Sequence, residues 1–368
     1  MSIKFTDLKD IIVDNLDSGI STELKSAPGR GKSEFVEKLV EELSARDGFE
    51  WGLTTLFLAT YTPQDLMGYM VPAKQEDGSI VSKFTTPPWM ITTDKAGNQR
   101  HINSFQRAIV FLDEYGQGDG DTKRVSAQLL LKGEVGPHKL GKHVGVIAAS
   151  NRANDRSGVT KDFDFVINRR MEVAIADNID AWMDWAMTNG VSPLVKAFAN
   201  QNPTIVFSDG VPEKQGPWCT PRSLVMVDKL LQKKAARNGG VVPEDSTTVE
   251  AIAGLIGQGA ATALMIFVKL EREMPKYEDI VKRPMDTKVP TKPDSQMLVC
   301  YNLAHRVEMN DADNVIKYVE RMPKEFSVTF ATAAVKKTPM IVRTPAFQAW
   351  TKANSSLMAS IATINSAR

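Results

Sequence analysis

The chain alternates between short, nearly unbroken apolar runs and longer segments in which apolar residues return every three or four positions. Runs at residues 20–24, 54–60, 107–112, 144–149 and 171–175 have the length and continuity of strands buried on both faces of a parallel sheet. Between them, residues 4–16, 34–43 and 125–132 carry helical spacing, so strands and helices alternate as in an α/β fold. Pro63 opens a short helix that Gly68 stops. Two turn-rich stretches interrupt the rhythm. Residues 66–88 hold Asp77-Gly78 between short extended runs, and residues 133–143 hold Gly136 and Gly141; each predicts an inserted β-hairpin.

After residue 176 the strand-like runs stop. Residues 180–199, 223–236 and 249–273 predict helices, the last segment one or two of them. A connector containing proline and lysine, from residue 282 to 293, leads to amphipathic patterns at 297–306, 311–321, 326–335 and 346–361. The expected organisation is an α/β core over 1–176, a helical domain over 177–283, and a linker with a helical extension over 284–368. Residues 251–268 carry no charge, but Gly254, Gly257, Gln258, Gly259 and Thr262 suit a helix packed closely inside a globular domain better than a membrane span.

The candidate chemistry lies where the first and third apolar runs end. After residues 20–24 comes Lys25-Ser26-Ala27-Pro28-Gly29-Arg30-Gly31-Lys32-Ser33-Glu34, a glycine-bearing loop that opens a helix. Such a loop turns backbone N–H groups toward an anion, Lys32 adds a point charge, and Ser33 offers a hydroxyl to a magnesium ion. Residues 27–34 are therefore the expected phosphate-binding segment. The strict phosphate-loop pattern has glycine where this chain has Ser26. The run 107–112 ends in Asp113-Glu114, at the strand edge where open α/β sheets bind ligands. Asp113 is suited to hold magnesium through water and Glu114 to polarise an attacking water. Residues 144–149 end at Ser150-Asn151, which sets Asn151 where an amide could orient that water.

Composition narrows the setting. The 368 residues are 42% hydrophobic and 24% charged, ordinary for a soluble globular protein, with a formal net charge of +1. No global field advertises nucleic acid or an anionic membrane. Cys219 and Cys300 are the only cysteines, which fits a reducing compartment and argues against a disulfide scaffold. The first ten residues are mixed and charged, without the apolar core of a signal peptide, so a cytoplasmic location is expected.

With both acidic and glycine-rich motifs, Asn151, Arg169-Arg170 and Thr220-Pro221-Arg222 in order, the chain resembles an AAA+ ATPase. The two hairpins make it similar to the MoxR-like branch, nearest the CbbQ/NorQ type and its phage-encoded relatives, over roughly residues 20–280. Residues 63–68 with the following insert, the stretch from Ala149 through Gly158, and Ile167-Asn168-Arg169 carry the resemblance. It implies ATP and Mg2+ as cofactors and a homo-oligomeric ring, commonly hexameric, with ATP at each subunit boundary. It also implies that the helical domain acts as a lid. Asn151 would be the first sensor and Arg222 the second. Arg169, or alternatively Arg170, would be the arginine finger reaching the neighbour's ATP. The implied activity is ATP hydrolysis coupled to remodelling or maturation of a protein client, often with a partner carrying a von Willebrand factor A domain. No Asp-x-Ser-x-Ser pattern occurs in this chain, so that partner would be a separate protein. A nucleic-acid motor or loader is the alternative, resting on Lys132, His138, Lys139, Lys142 and His143 in or beside the second hairpin.

Overall fold

The computed structural model describes residues 5–152, 155, 162–175, 179–208 and 210–355. They fall into two compact units, one formed by residues up to 175 with 210–213, the other by 179–208 and the residues from 214 onward. The first unit runs α1 (Phe5–Asp17), β1 (Thr22–Ser26), α2 (Lys32–Asp47), β2 (Trp51–Phe57) and α3 (Pro63–Met67). The hairpins β3 (Met70–Lys74)/β4 (Ile80–Phe84) and β5 (Ile91–Thr93)/β6 (Gln99–His101) follow. Then come β7 (Arg107–Asp113), α4 (Gly120–Lys132), the two-residue strands β8 (Glu134–Val135) and β9 (His138–Lys139), β10 (Val144–Asn151), α5 (Asp164–Ile167) and β11 (Met171–Ala174).

Five strands form one sheet in the order β11-β1-β10-β7-β2, every pair parallel. The continuous apolar runs are explained by burial on both faces. Along β7, Ala108, Val110 and Leu112 meet α4 residues Ala127, Leu129 and Leu130 on one side. Ile109 and Phe111 meet Leu8 and Ile12 of α1 and Val36 and Leu39 of α2 on the other. This is the expected α/β architecture, a parallel sheet with helices on both faces and a helical region after it. Because β1 lies between two strands that follow it much later in sequence, the loop leaving β1 opens beside the ends of β10 and β7, where the topology leaves a crevice.

Two local expectations shift and one unexpected hairpin is added. The second strand spans Trp51–Phe57 rather than 54–60, and Leu58–Thr60 form a 3-10 turn. Register explains it: Trp51 pairs with Arg107 and Phe57 with Asp113, and the Arg107 guanidinium lies 4.7 Å over the Trp51 ring. The β5/β6 hairpin, with three-residue strands, is too short to leave a period in the sequence. Its turn is held by Asp94, whose carboxylate accepts N–H bonds from Ala96 and Asn98. Residues 180–199 form two helices rather than one, α6 (Ile179–Thr188) and α7 (Pro193–Gln201), because Ser192 caps the second by accepting from Val195 N–H and Pro193 starts it.

The second unit continues with α8 (Pro203–Val206), α9 (Pro221–Arg237), α10 (Ser246–Ile256), α11 (Gln258–Glu273), α12 (Tyr277–Lys282), α13 (Pro293–Arg306), α14 (Ala312–Val319), α15 (Lys324–Lys337) and α16 (Pro345–Ala353). The uncharged stretch 251–268 is broken between α10 and α11 at Gly257, whose φ is +81° and where a Cβ would stand 2.7 Å from the Pro217 carbonyl. Among the described residues no helix is long and apolar enough to cross a membrane. Phe198, Leu224, Leu264, Leu298, Tyr318 and Phe330 belong to one core, so the helices beyond the 282–293 connector pack with those before it. Residues 176–178, where the expected boundary lies, and the end of the 346–361 pattern fall outside the described residues.

Candidate nucleotide-binding and hydrolysis site

The loop after β1 closes through Gly29 at φ +73° and Gly31 at φ +84°, left-handed conformations that side chains resist. They turn the chain directly into α2, so the helix N-terminus, the positive end of its dipole, faces the loop. Lys32 is the first residue of that helix and is buried. Its Nζ donates to Asn151 Oδ1 at 2.9 Å, to Ser26 Oγ at 3.2 Å and to the Ser26 carbonyl at 3.3 Å. The residue that departs from the strict loop pattern thus has a job: the Ser26 hydroxyl helps hold the lysine amine. Ala27 and Arg30 are buried, Pro28 is partly exposed and Glu34 is exposed.

Ser33 Oγ donates to Asp113 Oδ2 at 2.6 Å. The other Asp113 oxygen accepts the Glu114 N–H at 2.9 Å, which fixes the carboxylate plane. A hydroxyl and one hard carboxylate oxygen side by side, at a phosphate loop, are a donor set that fits Mg2+, which keeps several waters and is held by one or two carboxylates plus substrate phosphates. Among the described residues no cluster of three His, Cys, Asp or Glu side chains offers a different kind of metal site.

Glu114 is the only non-glycine residue among those described with positive φ, 54°, at ψ 31°. A carboxylate residue held in the left-handed region costs of order 1–3 kcal/mol, and such outliers gather at functional sites. The turn ends β7 at Asp113 and leads directly into a 3-10 turn over Tyr115–Gln117. Nothing in the sequence marks this beyond two adjacent acids.

Three strand ends therefore meet: β1 with its loop, β7 with Asp113 and Glu114, and β10 with Asn151, whose Cα pairs with Ser26. The two arginines separate. Arg169 is exposed after α5, whereas Arg170 is buried, its guanidinium against Glu23 and, at 2.5 Å, against Asp162 of the same chain. Arg222 is exposed in the first turn of α9, in the second unit, where Thr220 and Ser223 form a capping box. Within the stretch from Ala149 to Gly158, Ala153, Asn154 and residues 156–158 lie outside the described residues; Arg152 pairs with Asp155 at 3.2 Å.

In the second hairpin, Lys139 pairs with Glu134 at 2.9 Å. His138 bonds the Met67 carbonyl and His143 the Asn103 carbonyl. Lys132 and Lys142 are exposed. On β3/β4 the exposed side chains include Met70, Val71 and Ile80, with Tyr69 at its base.

No family model matches this chain, and no curated protein matches it. Among solved structures it is similar to a RuvB mutant from Thermotoga maritima, at 10% identity over 77% of this chain and 77% of that one with a TM-score of 0.39. It is similar also to NtrX from Brucella abortus, at 14% identity over 73% of this chain and 68% of that one with a TM-score of 0.32.

Proposed function

We propose that this chain is a ring-forming AAA+ ATPase of the MoxR-like branch that couples ATP hydrolysis to remodelling or maturation of a protein client. One observation carries the reading: side chains from three parallel strand ends converge on the phosphate loop, with Ser33 on Asp113 and Lys32 on Asn151. The loop N–H groups and Lys32 bind the phosphates, the amine exchanging its present oxygen partners for theirs. Ser33 and Asp113 would hold Mg2+, which screens the phosphate charge when bound. Glu114 polarises the attacking water and Asn151 orients it. Arg169, exposed, serves the neighbour's nucleotide; Arg170 is engaged within its own subunit and is the weaker candidate. Arg222 acts from the lid as the second sensor. The ring works in the cytoplasm, and hydrolysis moves the lid against the core and with it whatever the two inserted hairpins hold, a client presented alone or by a separate von Willebrand factor A domain protein.

The hairpin chemistry favours a protein client. Exposed Met70, Val71 and Ile80 offer apolar contacts, while three of the five basic or titratable residues near the second hairpin are bonded within the chain. Glu114→Gln tests the hydrolytic assignment. The variant should bind ATP and assemble as the wild type does, turn over at least about 10²-fold more slowly, and retain client in an affinity capture. Undiminished turnover would remove Glu114 from the reaction.

A further inference from the structure

Beneath the site lies a largely buried polar network that includes Arg170, the weaker finger candidate, and otherwise groups given no role above. Glu23 of β1 is 1% exposed and its Oε1 accepts from Ser150 Oγ at 2.5 Å, next to Asn151 in β10. Its Oε2 meets the Arg170 guanidinium, which also meets Asp162 Oδ2. Asp162 Oδ1 in turn accepts from the Tyr115 hydroxyl at 3.1 Å, and Tyr115 directly follows Glu114. Arg170 and Lys123 each stand 5.4 Å from the Tyr115 ring centre. Burial pushes the Glu23 carboxyl up, against the opposing pull of Arg170, and pushes the Tyr115 hydroxyl up as well. Lys123 is pushed down by burial, so this is a costly set of groups to place in a core.

Arg170 sits between two carboxylates. Arg170 Nη2 and Nη1 are the atoms in contact with Glu23 Oε2 and Asp162 Oδ2, while Arg170 Nε has no hydrogen-bond partner among the described residues. Such a network is weak evidence of a stabilising role, since replacing a buried ion pair by apolar groups is often neutral or better. The groups it touches adjoin the Glu114 turn through Tyr115, the strand end that bears Asn151 through Ser150, and Arg169 through its immediate neighbour Arg170.

We propose that the Tyr115–Asp162–Arg170–Glu23 path is a positioning network that ties the outward-facing Arg169 to the Glu114 turn of the same subunit, so that each subunit's hydrolytic site governs the finger it presents to its neighbour. This rests on the trans role assigned to Arg169. The path gives the two ends a physical link. Arg170 cannot shift without moving Asp162 or Glu23, and Asp162 cannot shift without pulling on Tyr115.

Mixed rings of the full chain test it. Arg169→Ala subunits keep Glu114 but present no finger, and Glu114→Gln subunits present a finger but cannot hydrolyse; mixing them should restore ATPase activity. Adding Tyr115→Phe to the Glu114→Gln donors removes one hydroxyl and leaves the ring packed. The restored rate should then fall by about tenfold, since about 1 Å of misplacement can cost 10²-fold. Donor thermal stability, ATP affinity and ring assembly should stay unchanged. Asp162→Asn donors, which break the link from the other side, should reproduce the loss. An undiminished restored rate, or a loss seen with only one of the two changes, overturns the network. If Glu114→Gln donors restore nothing even without the second change, the trans finger itself is wrong, and the network falls with it.

Discussion

Lys196, in α7, is 3% exposed, and the groups acting on it are Lys337 of α15 and Asp228 of α9, with His305 of α13 sensing it in turn. Burial first, and then Lys337, push its amine down from 10.5 to about 8, with Asp228 opposing. Burying this cation costs the second unit stability, and the cost has a definite pH dependence. Below about pH 8 the lysine is protonated in both folded and unfolded chains and the whole penalty applies. Between about 8 and 10.5 the unfolded chain binds the proton and the folded one does not, so stability rises with pH across that window. At about 1.36 kcal/mol per unit, a shift of roughly 2.5 units corresponds to about 3 kcal/mol at pH 7, falling below about 1 kcal/mol by pH 10. Lys196→Met keeps an unbranched body of similar length and removes the charge. It should raise stability at pH 7 by up to about 3 kcal/mol less whatever the new packing costs, and the advantage should shrink by about 2.5 kcal/mol at pH 10. Urea unfolding of both proteins at pH 7, 8, 9 and 10, compared as differences so that other titrations cancel, measures it. A Met variant less stable at pH 7, or a difference that does not vary with pH, would refute the reasoning.

Other outcomes follow from the site. Ser33→Ala removes the hydroxyl on Asp113 and should abolish the magnesium dependence of ATP binding while leaving the sheet intact, read by nucleotide titration with and without the metal. Arg169→Ala should leave ATP binding unchanged and lower turnover by about 10³-fold or more, with activity recovered only on mixing with finger-bearing subunits. Lys139→Gln with Lys142→Gln should leave client-stimulated turnover intact. A salt-sensitive DNA affinity in the wild type that this pair of changes abolishes would instead favour the nucleic-acid reading.

What the sequence determined on its own is what depends on local pattern. Continuous apolar runs ending in polar residues mark strands buried on both faces, because only such strands lack a solvent side, and the parallel α/β sheet follows. The residues of the glycine-bearing loop are contiguous, so the candidate phosphate-binding segment could be read before any fold was known. Asp113, Glu114 and Asn151 were legible as strand-tip residues, but not their partners. Ser33 and Asp113 are 80 positions apart and Lys32 and Asn151 are 119 apart, and only the strand order β1-β10-β7 brings them together. The left-handed turn at Glu114 and the unequal fates of Arg169 and Arg170 were likewise decided by tertiary structure. Adjacent arginines look alike in sequence, and only the carboxylates of buried Glu23 and half-buried Asp162, reached from 147 positions earlier on β1 and from the segment before α5, draw one inward and leave the other outside. Side-chain charge is local information, while the partner that holds it depends on where distant strands end.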